Sequence, residues 1–128
     1  MSLDKQLIDA PLHRYELANG ERRVRVSSEG KESKTQWNVA ERFMHATLVY
    51  ASPLSGRTHQ IRVHGLSIGH PLVGDDKYGH ETEYKGPKPR RLCLHAMRLD
   101  IPGYAPIEAP LPEDMQSIVA QLRAQKKD

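Results

Sequence analysis

The residues of this sequence that are best suited to chemistry lie in the segment 56–64, which reads Gly-Arg-Thr-His-Gln-Ile-Arg-Val-His. Thr58 is a common helix-capping residue type, and a helix starting there would offer free backbone N–H groups to an anion, beside the charge of Arg57. Arg62 follows His59 by three positions, so both side chains are expected on one helix face. An arginine there can hold a carboxylate through two parallel hydrogen bonds. Spacing alone does not decide between this site and a helix whose charged face is only solvated.

Two other groups of residues have the types that catalytic or metal sites use. Asp75 and Asp76 could act as a metal pair or as nucleophiles, but we expect them to brace their loop through short side-chain to backbone hydrogen bonds. His59, His64 and His70 are separated by five and six positions. These spacings do not reproduce the four-residue spacing of a helical zinc pair, and no pair of cysteines supports them. The sequence therefore predicts no metal site.

The composition predicts a small cytoplasmic domain with a thin core. The chain has 128 residues, of which 38% are apolar and 5% aromatic. It contains no apolar run long enough to cross a membrane, and the first residues do not resemble a signal peptide. The lone cysteine, Cys93, stands between Leu92 and Leu94, so we expect a buried strand position rather than a reactive thiol.

The charge distribution favours a polyanionic partner. The formal net charge is only +3, but residues 53–98 hold eight Lys/Arg against four Asp/Glu, together with five of the seven histidines. Clustered Lys and Arg supply the sequence-independent attraction for phosphate that nucleic-acid-binding proteins use. A solvated surface loop would explain the same charges without any ligand.

The spacing of apolar residues predicts the elements that must position these groups. An alternating pattern predicts strands at 11–17, 22–27, 35–41, 44–51, 92–101 and 107–109, the first two joined by an Asn-Gly turn. A helix of about three turns is expected over 59–68, capped by Thr58 and ended by Gly69, and a second helix begins at Pro112. Residues 70–79 read as a structured loop and 80–91 as a mobile surface loop. Together these elements predict an α+β domain around a mainly antiparallel sheet.

Four segments, in order along the chain, resemble the RluA/RluC/RluD family of RNA pseudouridine synthases. They are residues 56–64, 69–79, 92–96 and 109–112. The resemblance covers essentially the whole chain and implies the C-terminal half of a catalytic domain, an α+β fold with a mainly antiparallel or mixed sheet and a few helices. Family enzymes convert uridine to pseudouridine in RNA without a cofactor or a metal, through attack by an aspartate.

The resemblance also implies a role for Arg62. In the family the matching arginine forms a salt bridge with the nucleophilic aspartate, which keeps that carboxylate ionised and oriented. The aspartate belongs to an H-R-L-D-x-x-T-S-G motif that is absent from this sequence, so the chain alone is expected to be inactive. Leu94 is a candidate for an apolar wall of the uracil pocket, or else a plain core leucine. The candidate RNA-binding residues are Arg57, Thr58, His59, Gln60, Lys77, Arg90 and Arg91.

The sequence therefore predicts one partial domain, residues 1–128, of an enzyme that isomerises uridine in large-subunit ribosomal RNA, with 23S ribosomal RNA as its partner and no membrane. The alternative is a non-catalytic RNA-binding or assembly module built on the same scaffold. A truncated sheet would expose an unpaired edge, so self-association or strand exchange between copies is also expected.

Overall fold

The computed structural model of the chain describes residues 4–79, 84–99, 103, 105 and 107–125. Within these residues the strands and helices follow one another as β1 (Lys5–Asp9), β2 (Leu12–Glu16), β3 (Arg22–Val26), β4 (Lys34–Arg42), β5 (Thr47–Pro53), α1 (Gln60–Ser67), β6 (Arg98–Leu99), β7 (Ile107–Glu108) and α2 (Glu113–Gln125). The strands pair antiparallel, and the predicted α+β class is confirmed. None of the described helices is both long and apolar enough to span a membrane.

The largest sheet has the strand order β1-β4-β5. β4 and β5 match the predicted pair, with a register shift between Val39 and Glu41. β4 buries Thr35 and Trp37, two positions apart, as the pleat of a strand requires. β1 was not predicted, because only Ile8 of its residues is buried and a single inward side chain gives no period.

The strands β2 and β3 form the predicted hairpin. Leu12 lies opposite Val26 and Glu16 lies opposite Arg22. The Asn-Gly turn closes through a 2.9 Å hydrogen bond from the Gly20 N–H to the carbonyl of Leu17, and Gly20 has a φ of 87°. Its positive φ is the reason that a glycine suits this turn.

The core joins this hairpin to α1. Leu12, Val24 and Val63 form a buried cluster, and the ring of Tyr78 packs against it. This cluster lies where the hairpin meets the helix, and Val63 itself belongs to the segment 56–64.

The helix α1 is shorter than predicted and is not capped by Thr58. It runs from Gln60 to Ser67, and His59 occupies the cap position with a left-handed backbone, φ 52° and ψ 23°, without a capping side-chain bond. A Thr cap must lie at the residue directly before the helix, in an extended conformation, and Thr58 lies one residue too early. The predicted end at Gly69 is confirmed, with a φ of 81°.

The predicted strand over 92–101 is confirmed only in part, and residues 92–97 are not a strand. Only Arg98–Leu99 is a strand, and it pairs with Ile107–Glu108, where a strand was predicted. Cys93 instead contacts the 70–79 loop, through a 2.9 Å hydrogen bond from its N–H to the carbonyl of Val73, while the carbonyl of Met97 accepts from the Ala109 N–H at 2.8 Å. The alternating apolar residues over 92–97 therefore do not belong to a sheet. Positions 100 and 101 lie outside the described residues.

The C-terminal helix α2 is confirmed. Val119 and Leu122 are its buried residues, and Arg123 near its end pairs with Glu41 of β4 at 2.8 Å. Residues 80–83 of the predicted surface loop lie outside the described residues. The rest of that loop has internal structure, since the Tyr84 hydroxyl donates to the carbonyl of Pro87 at 2.7 Å. Its mobility remains a prediction.

Candidate active site

The centre of the candidate site is a two-point ion pair between α1 and the loop that follows it. Arg62 Nε donates to Asp75 Oδ2 at 2.9 Å, and Arg62 Nη2 donates to Asp75 Oδ1 at 2.7 Å. The Arg62 side chain is 17% exposed and that of Asp75 is 0% exposed. The backbone N–H groups of Lys77 and Tyr78 also donate to Asp75 Oδ1, at 3.1 and 3.0 Å. Both carboxylate oxygens are therefore engaged.

These contacts set the charge state of the pair. Burial would raise the pKa of Asp75, but the hydrogen bonds from Arg62 and from the Tyr78 backbone outweigh it and hold the pKa below its usual value. The hydrogen bond to Asp75 raises the pKa of Arg62 in turn. Asp75 is thus a fixed, ionised brace, as expected from the sequence, and its enclosure leaves no oxygen free for nucleophilic attack. Asp76 is exposed to solvent.

Tyr78 links the ion pair to the start of the helix and to the hairpin. Its hydroxyl accepts a 3.0 Å hydrogen bond from the Val24 N–H and lies 2.7 Å from His59 Nδ1. Arg62 Cζ lies over the Tyr78 ring, 5.0 Å from its centroid, a favourable cation–π contact. No role for Tyr78 was predicted, although its place in the segment 69–79, three residues after Asp75, was the available signal.

The pKa of His59 bears on its hydrogen bond with Tyr78. Burial lowers the pKa of His59, and the positive charges of Arg62 and Lys77 lower it further. His59 is therefore neutral over most of the physiological range, so its Nδ1 can accept the hydroxyl proton of Tyr78. This bond holds the imidazole against the Tyr78 ring, with the ring centroids 5.5 Å apart.

Gln60, a predicted RNA-binding residue, points into the protein. Its Nε2 donates to the Lys34 carbonyl at 2.8 Å and to Thr35 Oγ1 at 2.9 Å. Its Oε1 accepts from Ser55 Oγ at 2.8 Å and from the Arg57 N–H at 3.1 Å. The amide is fully used inside the chain, so Gln60 positions the loop before α1 against β4 and has no free group to offer RNA.

The same network continues to His64, which is fully buried. His64 Nε2 lies 2.9 Å from the carbonyl of Ala10, which can only accept, so this nitrogen carries a proton. Thr35 Oγ1 accepts from Gln60 and lies 2.8 Å from His64 Nδ1, to which its hydroxyl can donate. His64 therefore ties α1 to β4 and to the β1–β2 connection rather than binding a ligand.

The residues at the start of α1 are exposed but partly engaged. Arg57 Nε donates to the carbonyl of Glu32 at 3.1 Å, and Thr58 is exposed. The Gln60 N–H donates to the Arg57 carbonyl at 3.2 Å. The predicted anion site at this helix start is therefore partly filled by the chain's own groups.

The remaining candidate site residues differ in their exposure and in whether they already pair with a carboxylate. Lys77 pairs with Glu21 at 2.9 Å, and Arg91 pairs with Asp114 through both Nε and Nη2, at 2.5 and 3.0 Å. Arg90 is exposed. Leu94 is 36% exposed and so is not a core leucine, which leaves its predicted place on a pocket wall as a proposal. Cys93 is half-buried and not on a strand, and burial raises the pKa of its thiol.

Comparison with known sequences identifies the relatives of this chain. No protein-family model matches it. Ribosomal large subunit pseudouridine synthase C of Yersinia pestis is 48% identical over 124 residues, which cover 91% of this chain and 39% of that protein. The protein of the same name from Escherichia coli K12 is 45% identical and covers 91% of this chain and 40% of its own length. The chain thus spans about two fifths of these curated relatives.

Solved structures agree with the sequence relatives. Human RNA Pseudouridylate Synthase Domain Containing 1 superposes with a TM-score of 0.72 at 29% identity, over 100% of this chain and 63% of that one. Human RNA Pseudouridylate Synthase Domain Containing 4 gives a TM-score of 0.70 at 25% identity, over 94% of this chain and 57% of that one. Both sequence and fold confirm the family that the four segments predicted. Over the two fifths of their length that it spans, the chain is similar in sequence and in fold to RNA pseudouridine synthases.

Proposed function

We propose that this chain is the part of an RNA pseudouridine synthase that holds Arg62 ready for a nucleophilic aspartate from another segment of the enzyme. The reaction is the isomerisation of uridine to pseudouridine. The observation that carries the proposal is the way in which Arg62 is held. Asp75 and the ring of Tyr78 fix the guanidinium, and its outer edge remains available.

The free edge follows from the geometry of the guanidinium. An arginine has N–H donors on Nε and on both terminal nitrogens, arranged in a planar fork. The described contacts with Asp75 use Nε and Nη2 only, which leaves Nη1 and the second hydrogen of Nη2 for another acceptor. The Arg62 side chain is 17% exposed, and the proposal places the second carboxylate on this edge, with Asp75 kept in place.

The electrostatics of the site suit that role. A carboxylate that meets a fixed guanidinium is favoured in its ionised form, which is the form that attacks. Because Asp75 is already ionised and enclosed, Arg62 keeps one orientation whether or not the second carboxylate is present. In the family the matching arginine pairs with the nucleophile, and Arg62 supplies that charge here.

The substrate and the surrounding contacts belong to the same proposal. The relatives' names refer to the large ribosomal subunit, so we take 23S ribosomal RNA as the substrate and the cytoplasm as the location. Leu94 forms part of an apolar wall against the uracil. The RNA backbone is contacted by exposed or rim residues, which are Arg57, Thr58, His59, Lys77, Arg90 and Arg91.

Self-association of the chain alone is a further part of the proposal. β5 lies at one end of the strand order β1-β4-β5, and Tyr50 on this strand is 54% exposed. An edge strand with an exposed apolar residue is a template for pairing with another strand. In the longer enzyme, another segment would cover this edge.

The test compares this chain with a version extended upstream to include the family's aspartate motif. Both are incubated with large-subunit ribosomal RNA, and pseudouridine is measured by mass spectrometry of the nucleosides. We expect product from the extended chain and none from the isolated one. In the extended chain, Arg62→Ala should abolish product while RNA binding is largely kept.

Each other outcome has a definite meaning. Product from the isolated chain would show that a nucleophile lies within these residues. Full turnover by the Arg62→Ala variant would exclude the proposed role of Arg62. RNA binding without product from the extended chain would favour the alternative, a non-catalytic RNA-binding module. Arg14→Ala serves as the matched control, since Arg14 is an exposed arginine outside the site.

A further inference from the structure

An open groove of about 620 Å³ lies between the β2–β3 hairpin and α1. Arg23, Arg25 and Lys77 line it together with the rings of Tyr15 and Tyr78. Tyr78 is shared with the candidate active site, because Arg62 lies over the same ring at 5.0 Å. The groove is therefore directly next to the site at which we place the reaction.

One wall of the groove is a face of the hairpin that carries one tyrosine ring and two arginine side chains. Tyr15 lies directly opposite Arg23 in the strand register, and Arg25 is two residues further along β3, so all three project from the same face. The guanidinium of Arg25 lies over the ring of Tyr15, 5.0 Å from its centroid. Arg14, on β2, projects from the opposite face of the same hairpin.

The groove runs along the edge of β3 and also reaches apolar side chains, because Val24 projects from the other face of β3 and packs with Val63. Val63 and Leu66 of α1 line this side, and Leu66 is 40% exposed although it is a large aliphatic residue. The Arg25–Tyr15 pair projects from the other face of the hairpin, so a flat ligand that stacks on this pair is covered on one face only.

The charge of the groove is positive. Arg23 and Lys77 both pair with Glu21, at 3.4 and 2.9 Å, so one carboxylate offsets part of the charge of two cations. The described contact of Arg25 is with the Tyr15 ring and not with a carboxylate, and Arg25 is exposed. The groove thus offers positive charge beside stacking surfaces, which suits a ligand with a flat ring and an attached anion.

We propose that this groove binds an unpaired RNA nucleotide next to the one that reacts. Its base stacks on the Arg25–Tyr15 pair, and its phosphates lie near Arg23 and Lys77. Proteins that bind single-stranded RNA combine a positive groove with aromatic rings or guanidinium planes on which bases stack. The inference rests on the proposed function for the class of ligand, but it assigns a separate nucleotide and adds Tyr15, Arg23 and Arg25, while Lys77 is shared.

The test measures binding of a fluorescently labelled, uridine-containing single-stranded RNA to the 128-residue chain by anisotropy at low salt. Tyr15→Ala removes the stacking ring and should weaken binding by about tenfold. Arg25→Lys keeps the charge but loses the plane, so it should also weaken binding, whereas Tyr15→Phe should not. Arg14→Ala removes the same charge from the opposite face and should change the affinity by less than about twofold, as expected for a general electrostatic effect.

Several results would contradict the proposal that this groove binds a nucleotide. Equal losses from Arg14→Ala and Tyr15→Ala, or equal effects on single-stranded and duplex RNA, would show general attraction to phosphate instead of base stacking. Absence of RNA binding by the chain would also contradict the proposal. A polyglutamate peptide could compete with RNA equally well for the parent chain and for Tyr15→Ala. That result would indicate an acidic protein partner. Circular dichroism of each variant separates lost binding from lost folding, and Arg25→Lys, at an exposed position, keeps the test open if Tyr15→Ala does not fold.

The two proposals can fail independently. The extended chain could make no pseudouridine while the isolated chain binds single-stranded RNA through Tyr15 and Arg25. That result would support nucleotide binding in the groove and contradict the catalytic proposal. The extended chain could be active and depend on Arg62 while the Tyr15 and Arg25 variants bind RNA normally. That result would contradict nucleotide binding in the groove and leave the catalytic proposal supported.

Discussion

Asp75 carries most of the local order around the candidate site. Its carboxylate accepts hydrogen bonds from the Arg62 guanidinium and from two backbone N–H groups of its own loop. Burial of such a group is unfavourable unless every oxygen has a partner. Arg62 is therefore oriented by a residue that is itself immobilised, and the precision of the site depends on a side chain that we do not expect to touch the substrate.

Replacing Asp75 should reveal this dependence in the stability of the chain. Asp75→Asn leaves Arg62 without its charged partner in a partly buried place, so we expect a loss of about 3 kcal/mol in the free energy of unfolding at about pH 7. Urea denaturation followed by circular dichroism measures it. Asp76→Asn is the matched control, because Asp76 is exposed and should change stability by less than about 0.5 kcal/mol. Equal effects of the two substitutions would contradict the bracing role.

The contribution of Asp75 should also depend on pH in one direction. The folded-state pKa of Asp75 is lowered, so its stabilisation is present above the unfolded value of about 4 and is lost as the pH falls toward the folded value. The difference in unfolding free energy between the parent chain and Asp75→Asn should therefore shrink in acid. A difference that stays constant from about pH 7 to about pH 3 would show that charge is not its source.

At the scale of the elements, α1 is held to the sheet by very close packing at Gly65. A Cβ added at Gly65 would lie 2.9 Å from the carbonyl oxygen of His70 and 3.0 Å from a ring carbon of Trp37. Alanine is normally favoured over glycine within a helix by about 1 kcal/mol. The contact with β4 reverses that preference here.

Gly65→Ala should accordingly destabilise the chain by about 1–3 kcal/mol despite its higher helix propensity. Thermal and urea unfolding both report the change. Gly56→Ala provides the comparison, since nothing lies within 4 Å of the added methyl group and little effect is expected. A stabilising Gly65→Ala would mean that α1 does not approach β4 so closely.

Thr35 connects β4 to α1 through the hydrogen bonds to Gln60 and His64. Thr35→Val keeps the shape but leaves His64 Nδ1 without a partner at a fully buried position, so a loss of about 2 kcal/mol is expected. Thr58→Val is the matched control, because Thr58 is exposed and is not the helix cap. An effect of about 1 kcal/mol from Thr58→Val would instead support the capping role that the sequence predicted.

The sequence predicted the elements whose signals are local and missed those that depend on distant partners. An Asn-Gly turn between alternating residues is sufficient to define the β2–β3 hairpin. β1 has no such pattern, because its place is set by pairing with β4, and residues 92–97 alternate without entering a sheet.

The same limit applies to the site. Arg62 was found because the motif marks it, but its ion pair with Asp75, 13 positions away, was not predicted. The role of Tyr78 depends on Val24, 54 positions away, and the inward direction of Gln60 depends on β4. No local pattern in the sequence reports such contacts.

At the scale of the whole molecule, the chain spans about two fifths of its curated relatives and presents β5 at the end of its main sheet. We expect the isolated chain to show a weight-average mass that rises with concentration in sedimentation equilibrium. Tyr50→Lys places a charge on the exposed part of this edge strand and should shift the mass toward that of a monomer. Met44→Lys, at an apolar residue of similar exposure outside the strands, should not. A mass that is constant with concentration would exclude self-association.

The hydrogen bond between the Tyr78 hydroxyl and the Val24 N–H has a consequence for the order of events during synthesis. The two residues are 54 positions apart, so at a translation rate of roughly 5–20 residues per second the hairpin waits for about 3–10 s before Tyr78 has been made. For most of that interval Leu12 and Val24 have no helix to cover them, because α1 begins only at Gln60. A nascent chain stalled before residue 60 should therefore be a better target for chaperones and proteases than one stalled beyond residue 79.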